Sequence, residues 1–176
     1  MRHLILFLLL IPGCCKADWK ENVIDAFMFV AGIATSHAVH EIGHELTARA
    51  YGEKLDWPRM EWTCRPPCTH HDKIAMAGNI STAILGEALF LLPAIYKHTP
   101  FVDGMQTFNT INPIAYLYKQ ETETGGYGDY QNLSDDYKKY EVALAIHAAT
   151  IGYRQLSDRL WSITVAPRHI HFTYKF

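Results

Sequence analysis

The sequence lacks a basic block. Its 16 lysines and arginines are balanced by 18 aspartates and glutamates, which leaves a formal net charge of −2. Without a cationic patch or an aromatic platform the chain has no signature of nucleic-acid binding, so we expect no nucleic-acid partner. Charged residues make up 19% of the chain, somewhat below the soluble average, and hydrophobic residues make up 49%. The sequence contains no internal repeat, and 176 residues are typical of one domain.

Cysteine is also scarce, with four residues in the whole chain. Cys64 and Cys68 flank an R-P-P turn, and His70 and His71 follow closely. This spacing is not a standard zinc pattern, and an exported protein favours a local disulfide between the two cysteines. A second metal site at these residues is the alternative.

The N-terminal segment predicts a secretory signal peptide over residues 1–17. Its apolar core, residues 4–11, is too short to span a bilayer, and a small residue, Ala17, precedes the expected cleavage point. A lipoprotein signal with an acylated Cys14 is the alternative. In both cases residues 18–176 carry the fold.

The motif H-E-I-G-H at residues 40–44 is the most informative stretch of the chain. His40 and His44 are four residues apart, so on a helix both imidazoles lie on one face, one turn apart. This is the spacing that lets one zinc ion bind two ring nitrogens. Glu41 lies beside them, where it can take a proton from a water molecule that the metal activates. The motif therefore predicts zinc as the cofactor and Glu41 as the catalytic base.

A catalytic zinc ion keeps three protein ligands and one open position, so a third ligand is required. Asp129 lies beside glycines that allow the backbone to bend toward a metal. The other candidates are another carboxylate and three histidines: Glu87, His70, His71 and His147. His37, three residues before His40, shares the metal face and is expected to support the site without binding the ion.

The rest of the first half predicts a long helix followed by a short β segment. An apolar run favours a helix from Trp19 to Tyr51, ended by Gly52. Prolines and aromatic residues over 54–72 favour short strands. Residues 74–96 then form an apolar run in which Glu87 is the single charged residue, so we expect a membrane span with Glu87 facing the bundle interior.

The second half predicts fewer regular elements. Pro100 and Gly104 indicate a loop over residues 98–110, and Asn112 begins a short helix. A last helix is expected from Asp135 to Ile163. The alternating tail from His169 to Tyr174 is typical of a strand or a frayed end.

Three short motifs follow one another along the chain. H-E-I-G-H-E-L-T-A-R-A-Y-G matches the pattern H-E-x-G-H-x-x-x-A-x-x-x-G, M-A-G-N follows at 76–79, and N-P at 112–113 precedes G-D at 128–129. Over about residues 23–133 the chain thus resembles the site-2 protease family, the intramembrane zinc metallopeptidases.

The resemblance implies roles for three further residues. Asp129 would be the third zinc ligand, and Asn79 or Asn112 would bind the substrate backbone or the oxyanion. The sequence departs from the family at this third stretch, because Asp129 lies further from Asn112 than usual and Tyr130 replaces the following glycine.

The motif and the resemblance together predict a membrane-embedded zinc metalloendopeptidase that hydrolyses peptide or membrane-protein substrates. Residues 18–176 would form a single metallopeptidase-like domain: a small, mostly α membrane bundle with a short β segment after the zinc-motif helix. The expected location is the inner or plasma membrane, reached by the export pathway. A soluble exported zincin is an alternative that the mean hydropathy of −0.07 favours. The other alternative is a non-enzymatic zinc-binding membrane protein, in which Glu41 would be dispensable.

Overall fold

The computed structural model describes residues 19–57, 62–122, 133–166 and 169–174. Within these ranges the chain forms five helices and two antiparallel strand pairs. In chain order they are α1 (Trp19–Ala50), β1 (Leu55–Asp56), β2 (Thr63–Cys64), α2 (His71–Leu89), α3 (Ala94–Lys97), α4 (Pro100–Thr122), α5 (Asp135–Leu160), β3 (Trp161–Ala166) and β4 (His169–Tyr174). The predicted mostly α fold, with a short β segment after the first long helix, is confirmed. The predicted signal segment, residues 1–17, lies outside the described residues.

Helix α1 follows the prediction within one residue, and its C-terminus has a defined cap. Gly52 adopts a positive φ of 72°, a conformation that costs a glycine little. The N–H of Glu53 donates to the carbonyl of Ala48 at 2.9 Å, and that of Gly52 donates to Arg49 at 3.1 Å. These two bonds form a Schellman motif, which ends the helix and turns the chain into β1.

The four long helices, α1, α2, α4 and α5, pack against one another. Helix α1 contacts both α2 and α4, and α5 packs against α4 and α2. Two glycines lie where α1 crosses α4: a Cβ on Gly32 would overlap the carbonyl oxygen of Phe101, and a Cβ on Gly104 would overlap that of Phe29. The two backbones therefore touch, and this close contact is possible because neither residue has a side chain.

The prediction of one continuous span over residues 74–96 is wrong. Helix α2 ends at Leu89, and residues 90–93 form a turn before the short helix α3. Pro93 explains the break, because proline has no N–H to donate and disfavours helical backbone in the residue before it. At 19 residues, α2 is about 28 Å long.

The prediction of a loop over residues 98–110 is also wrong. Residues 100–122 form one 23-residue helix, α4, so Asn112 lies inside a helix and does not begin one. Pro100 is the first residue of α4, a position at which a missing N–H costs nothing. Gly104 lies against α1, so here the two residues that normally break helices have roles in starting and packing one.

The C-terminal region is close to the prediction. Helix α5 ends at Leu160, three residues earlier than predicted, because Trp161–Ala166 pairs as a strand with His169–Tyr174. The first of these strands contains the β-branched residues Ile163, Thr164 and Val165, which favour extended backbone. The predicted strand in the tail is confirmed.

One helix among the described residues is long and apolar enough to cross a membrane, judged by length and composition. It is α1: within Lys20–Ala50 an 18-residue window has a mean hydropathy of 1.4, and 17% of that window is buried. Phe27, for example, is 71% exposed, and Val23 and Ile24 are also exposed. The N-terminal half of α1 therefore presents apolar side chains outward.

Candidate metal centre

The two histidines of the H-E-x-x-H motif meet inside the protein. His40 and His44 lie one turn apart on α1 and are 1% and 0% exposed. Their Nε2 atoms are 3.1 Å apart. Two nitrogens bound to one tetrahedral zinc ion at 2.0–2.1 Å would be separated by about 3.3 Å, so the observed separation fits a shared metal ion.

A hydrogen bond fixes the protonation of His44. Its Nδ1 lies 2.6 Å from the carbonyl oxygen of Ile74 on α2. A carbonyl can only accept, so Nδ1 carries the proton and the neutral ring has its lone pair on Nε2. This is the arrangement in which metal-binding histidines are usually held, with the second nitrogen donating to a backbone carbonyl.

Helix α2 leaves space beside these nitrogens because residue 78 is a glycine. A Cβ on Gly78 would lie 2.6 Å from Nε2 of His40 and closer still to Nε2 of His44. Gly43, inside the motif, faces α2 in turn, and a Cβ there would lie 2.6 Å from the carbonyl oxygen of Ala77. The two helices thus meet through glycines at the histidine pair, and a side chain at residue 78 would overlap both ring nitrogens.

Aromatic rings surround the pair. Tyr116 and Phe108, both on α4, lie 6.2 Å from the His40 ring between centroids, with Tyr116 stacked on it. Trp62 lies 5.0 Å from the His44 ring. These rings keep water away from the nitrogens and so lower the local dielectric, which strengthens the interaction of a bound cation with its ligands.

Glu41 is held by the histidine that precedes the motif. Its Oε1 lies 3.3 Å from Nε2 of His37, one helical turn earlier. The His37 ring also packs edge-on against Phe108, with centroids 5.6 Å apart. His37 therefore contacts the carboxylate of Glu41 and can orient it, while its supporting role at a metal site stays a prediction.

The third ligand predicted from the sequence, Asp129, lies outside the described residues. The structure gives most of the rival candidates other partners: Arg154 donates to both carboxylate oxygens of Glu87 at 2.8 Å, with His147 nearby. His70 contacts Glu53 at 3.2 Å. The fourth rival, His71, packs against Trp62. Glu87 is also about 13 Å beyond Gly78 along α2, too far to share its metal site.

The two asparagines predicted to bind substrate are hydrogen-bonded to each other, and one of them is also hydrogen-bonded to a glutamate. Asn112 on α4 donates from Nδ2 to Oδ1 of Asn79 on α2 at 3.2 Å, and Asn79 donates to Oε2 of Glu141 on α5 at 3.2 Å. Glu141 is 1% exposed. The sequence did not identify it, and no local pattern marks it, because a single carboxylate in a helix normally faces water. These two hydrogen bonds link α4, α2 and α5 next to Gly78.

A second group of possible ligands lies in the β segment. Within the described ranges, Glu53, Cys64 and Cys68 are the group of three whose ligand atoms come within 4.8 Å of one another, and it could hold a metal ion. Cys64 and Cys68 are joined by the predicted disulfide. Hydrogen bonds from the Thr69 N–H and from His70 hold the pKa of Glu53 below its ordinary value of 4.5.

Comparison of the chain with family models, with curated proteins and with solved structures found no match.

Proposed function

We propose that the protein is a membrane-embedded zinc metallopeptidase. The observation that carries the proposal is the buried His40–His44 pair, with both Nε2 atoms at metal-chelating separation. The orientation of His44 by the Ile74 carbonyl adds to it, because a bound ion needs the lone pair on Nε2, and Gly78 adds to it because any side chain there would overlap both nitrogens. Asp129 is proposed as the third ligand.

The chain's own residues would divide the work of peptide hydrolysis. A zinc ion held by His40, His44 and Asp129 would supply a Lewis acid and an acidified water. Glu41, oriented by His37, would take a proton from the water and return it to the leaving amine. Asn112 would bind the substrate backbone or the developing oxyanion, and Asn79, which accepts from it, would fix the orientation of its amide.

The substrate would be a peptide segment that reaches the site inside a bilayer. The exposed apolar half of α1 supports this placement, because such a helix is poorly solvated in water. The histidine pair lies in the C-terminal half of the same helix. A membrane-protein segment would therefore approach the pair through the lipid-facing side of the bundle.

The test compares Glu41→Gln with His40→Ala and His44→Ala in purified full-length protein. Glu41→Gln should retain close to one zinc ion per chain while peptide hydrolysis falls by about 10²–10⁴-fold, since general-base catalysis contributes that much. Each histidine variant should lose both zinc and activity. Zinc is measured by elemental analysis, and activity is measured on a quenched fluorescent peptide in detergent.

Two results would contradict the proposal. Full zinc content in both histidine variants would remove the metal site, and full activity in Glu41→Gln would remove the peptidase mechanism. Zinc binding without hydrolysis of any peptide in the wild-type protein would instead favour a non-enzymatic zinc-binding protein.

A further inference from the structure

The β segment between α1 and α2 brings together side chains that the peptidase mechanism does not use. Glu53 follows the end of α1, while Cys64 lies in β2 and Cys68 follows the turn after it. The strands pair with Leu55 opposite Cys64, which brings the start and the end of this segment side by side. One carboxylate oxygen and two sulfurs thus lie within 4.8 Å of one another.

Hydrogen bonds hold the carboxylate of Glu53 in place. Oε1 of Glu53 accepts from the N–H and the hydroxyl of Thr69, both at 3.0 Å, and contacts Nδ1 of His70 at 3.2 Å. All three contacts end on the same oxygen, so they fix the position of the carboxylate. Metal-binding carboxylates are commonly held in this way by neighbouring hydrogen-bond donors.

We propose that Glu53, Cys64 and Cys68 form a second zinc site when the Cys64–Cys68 disulfide is reduced. Two thiolates and a carboxylate are a ligand set that suits zinc, with water as the fourth ligand. Two sulfurs bound to one tetrahedral zinc ion lie about 3.8 Å apart, so breaking the disulfide requires only a small separation of the two side chains.

Reduction of the disulfide followed by zinc binding balances in atoms, electrons and protons. A dithiol reductant transfers two electrons and two protons to the disulfide, which becomes two thiols while the reductant becomes a disulfide. Zinc binding then releases both thiol protons to solvent. Cys64 and Cys68 are therefore joined covalently under oxidising conditions and, together with Glu53, through a metal ion under reducing conditions.

The position of the site gives it a consequence for the histidine pair. Glu53 directly follows the cap of α1, and Thr69 and His70 directly precede α2. The two helices that meet at His40, His44 and Gly78 are thus joined through this segment. The disulfide closes only residues 64–68, whereas a zinc ion bound by Glu53 as well would tie the residue after α1 to the segment that leads into α2.

The test uses cobalt(II), because a thiolate ligand gives cobalt a near-ultraviolet charge-transfer absorption that imidazole and carboxylate ligands do not give. The full chain, with Cys14 and Cys15 changed to serine, is titrated before and after reduction by a trialkylphosphine. The phosphine takes oxygen from water to become a phosphine oxide, which leaves both protons for the thiols, and it offers no thiol to the metal. The reduced chain should bind one more cobalt ion than the oxidised chain and show the absorption.

Three variants sharpen the assignment. The double variant Cys64→Ser with Cys68→Ser should abolish the absorption, and Glu53→Gln should weaken cobalt binding in the reduced chain by more than about tenfold. Asp56→Asn is the matched control, because it neutralises a carboxylate of the same segment that lies outside the ligand group, and it should bind as the parent does.

The proposal is overturned if the reduced chain shows no thiolate absorption, if the absorption survives replacement of both Cys64 and Cys68 by serine, or if Glu53→Gln and Asp56→Asn bind cobalt equally. These outcomes are independent of the peptidase proposal, whose metal would be bound by His40 and His44 without a thiolate. Loss of the histidine-bound metal would leave the thiolate absorption in place.

Discussion

Gly78 is the residue whose identity matters most to the histidine pair without binding anything itself. A methyl group there would occupy the space beside both Nε2 atoms. We therefore expect Gly78→Ala to weaken zinc binding by roughly 10–100-fold, as changes around a metal site do, although every ligand is still present. Zinc content after dialysis against graded concentrations of a chelator measures the loss.

Gly86→Ala is the control for this substitution. It lies on the same helix, and its new Cβ would meet the flexible end of Ile151 at 2.8 Å, so only a side chain has to move. Wild-type zinc affinity in Gly78→Ala would show that the ion does not lie beside this glycine.

Residue-scale reasoning from sequence succeeded where the signal was local. His40 and His44 were identified because their spacing alone places them on one helical face. Glu141 was not identified, because a single carboxylate in a helix normally faces water. Its burial depends on Asn79, a residue 62 positions earlier in the chain, and no local pattern reports such a contact.

At the scale of elements, the crossing of α1 and α4 should be the least tolerant packing contact. Gly32→Ala would place a methyl group on the carbonyl of Phe101, and backbone cannot swing aside as a side chain can. We expect a loss of at least about 1–3 kcal/mol in the free energy of unfolding, despite the better helix propensity of alanine.

Thermal or denaturant unfolding of the purified protein measures this loss. Gly86→Ala again serves for comparison, since the same chemical change there meets only a side-chain terminus. Equal stability of the two variants would mean that the α1–α4 crossing is looser than the structure indicates.

The ends of helices were predicted well where the local sequence sets them. Helix α1 ends at Gly52 because a positive φ suits glycine, and the sequence predicted that end within a residue. Helix α4 was missed because Pro100 and Gly104 indicate a loop when taken alone. Only the contact between Gly104 and α1, a tertiary feature, shows why a glycine belongs inside that helix.

The first strand pair should show a pH dependence of its own. Nε of Arg65 donates to Oδ2 of Asp56 at 2.7 Å, and this bond lowers the pKa of Asp56 below its ordinary value of 3.8. A carboxyl group with a lowered pKa stabilises the folded state above its unfolded pKa, and the contribution is lost as pH falls through the folded value. The bond is exposed, so we expect a small effect.

The difference in melting temperature between wild type and Asp56→Asn measures it. The difference should be present at neutral pH and should shrink as the pH is lowered below about 3.8. A difference that stayed constant, or grew, in acid would rule out the ion pair as its source.

At the scale of the whole molecule, the outward apolar face of α1 predicts that the protein stays with the membrane. The membrane fraction should retain it during carbonate extraction, and the purified chain should need detergent to remain monodisperse. Phe27→Asp, at a position 71% exposed, should reduce the membrane-bound fraction, because a carboxylate is costly in hydrocarbon.

A chain that is monodisperse in buffer alone would favour the soluble zincin. In that case Phe27→Asp should improve its solubility, since the same face would then be exposed to water. The same substitution is thus expected to lower the membrane-bound fraction of a membrane protein and to raise the solubility of a soluble one.

The burial of the histidine pair also governs how quickly metal can be exchanged. Within the described part of the chain, Gly78 and three aromatic rings cover His40 and His44 almost fully, so a bound ion has no open path past these groups. Its escape must wait for α2 or a ring to move, so the exchange rate is set by the frequency of that opening and not by the strength of the bonds to nitrogen. The protein would acquire its ion most easily while it folds and would exchange it slowly afterwards, so dialysis against a chelator has to continue until the zinc content is constant.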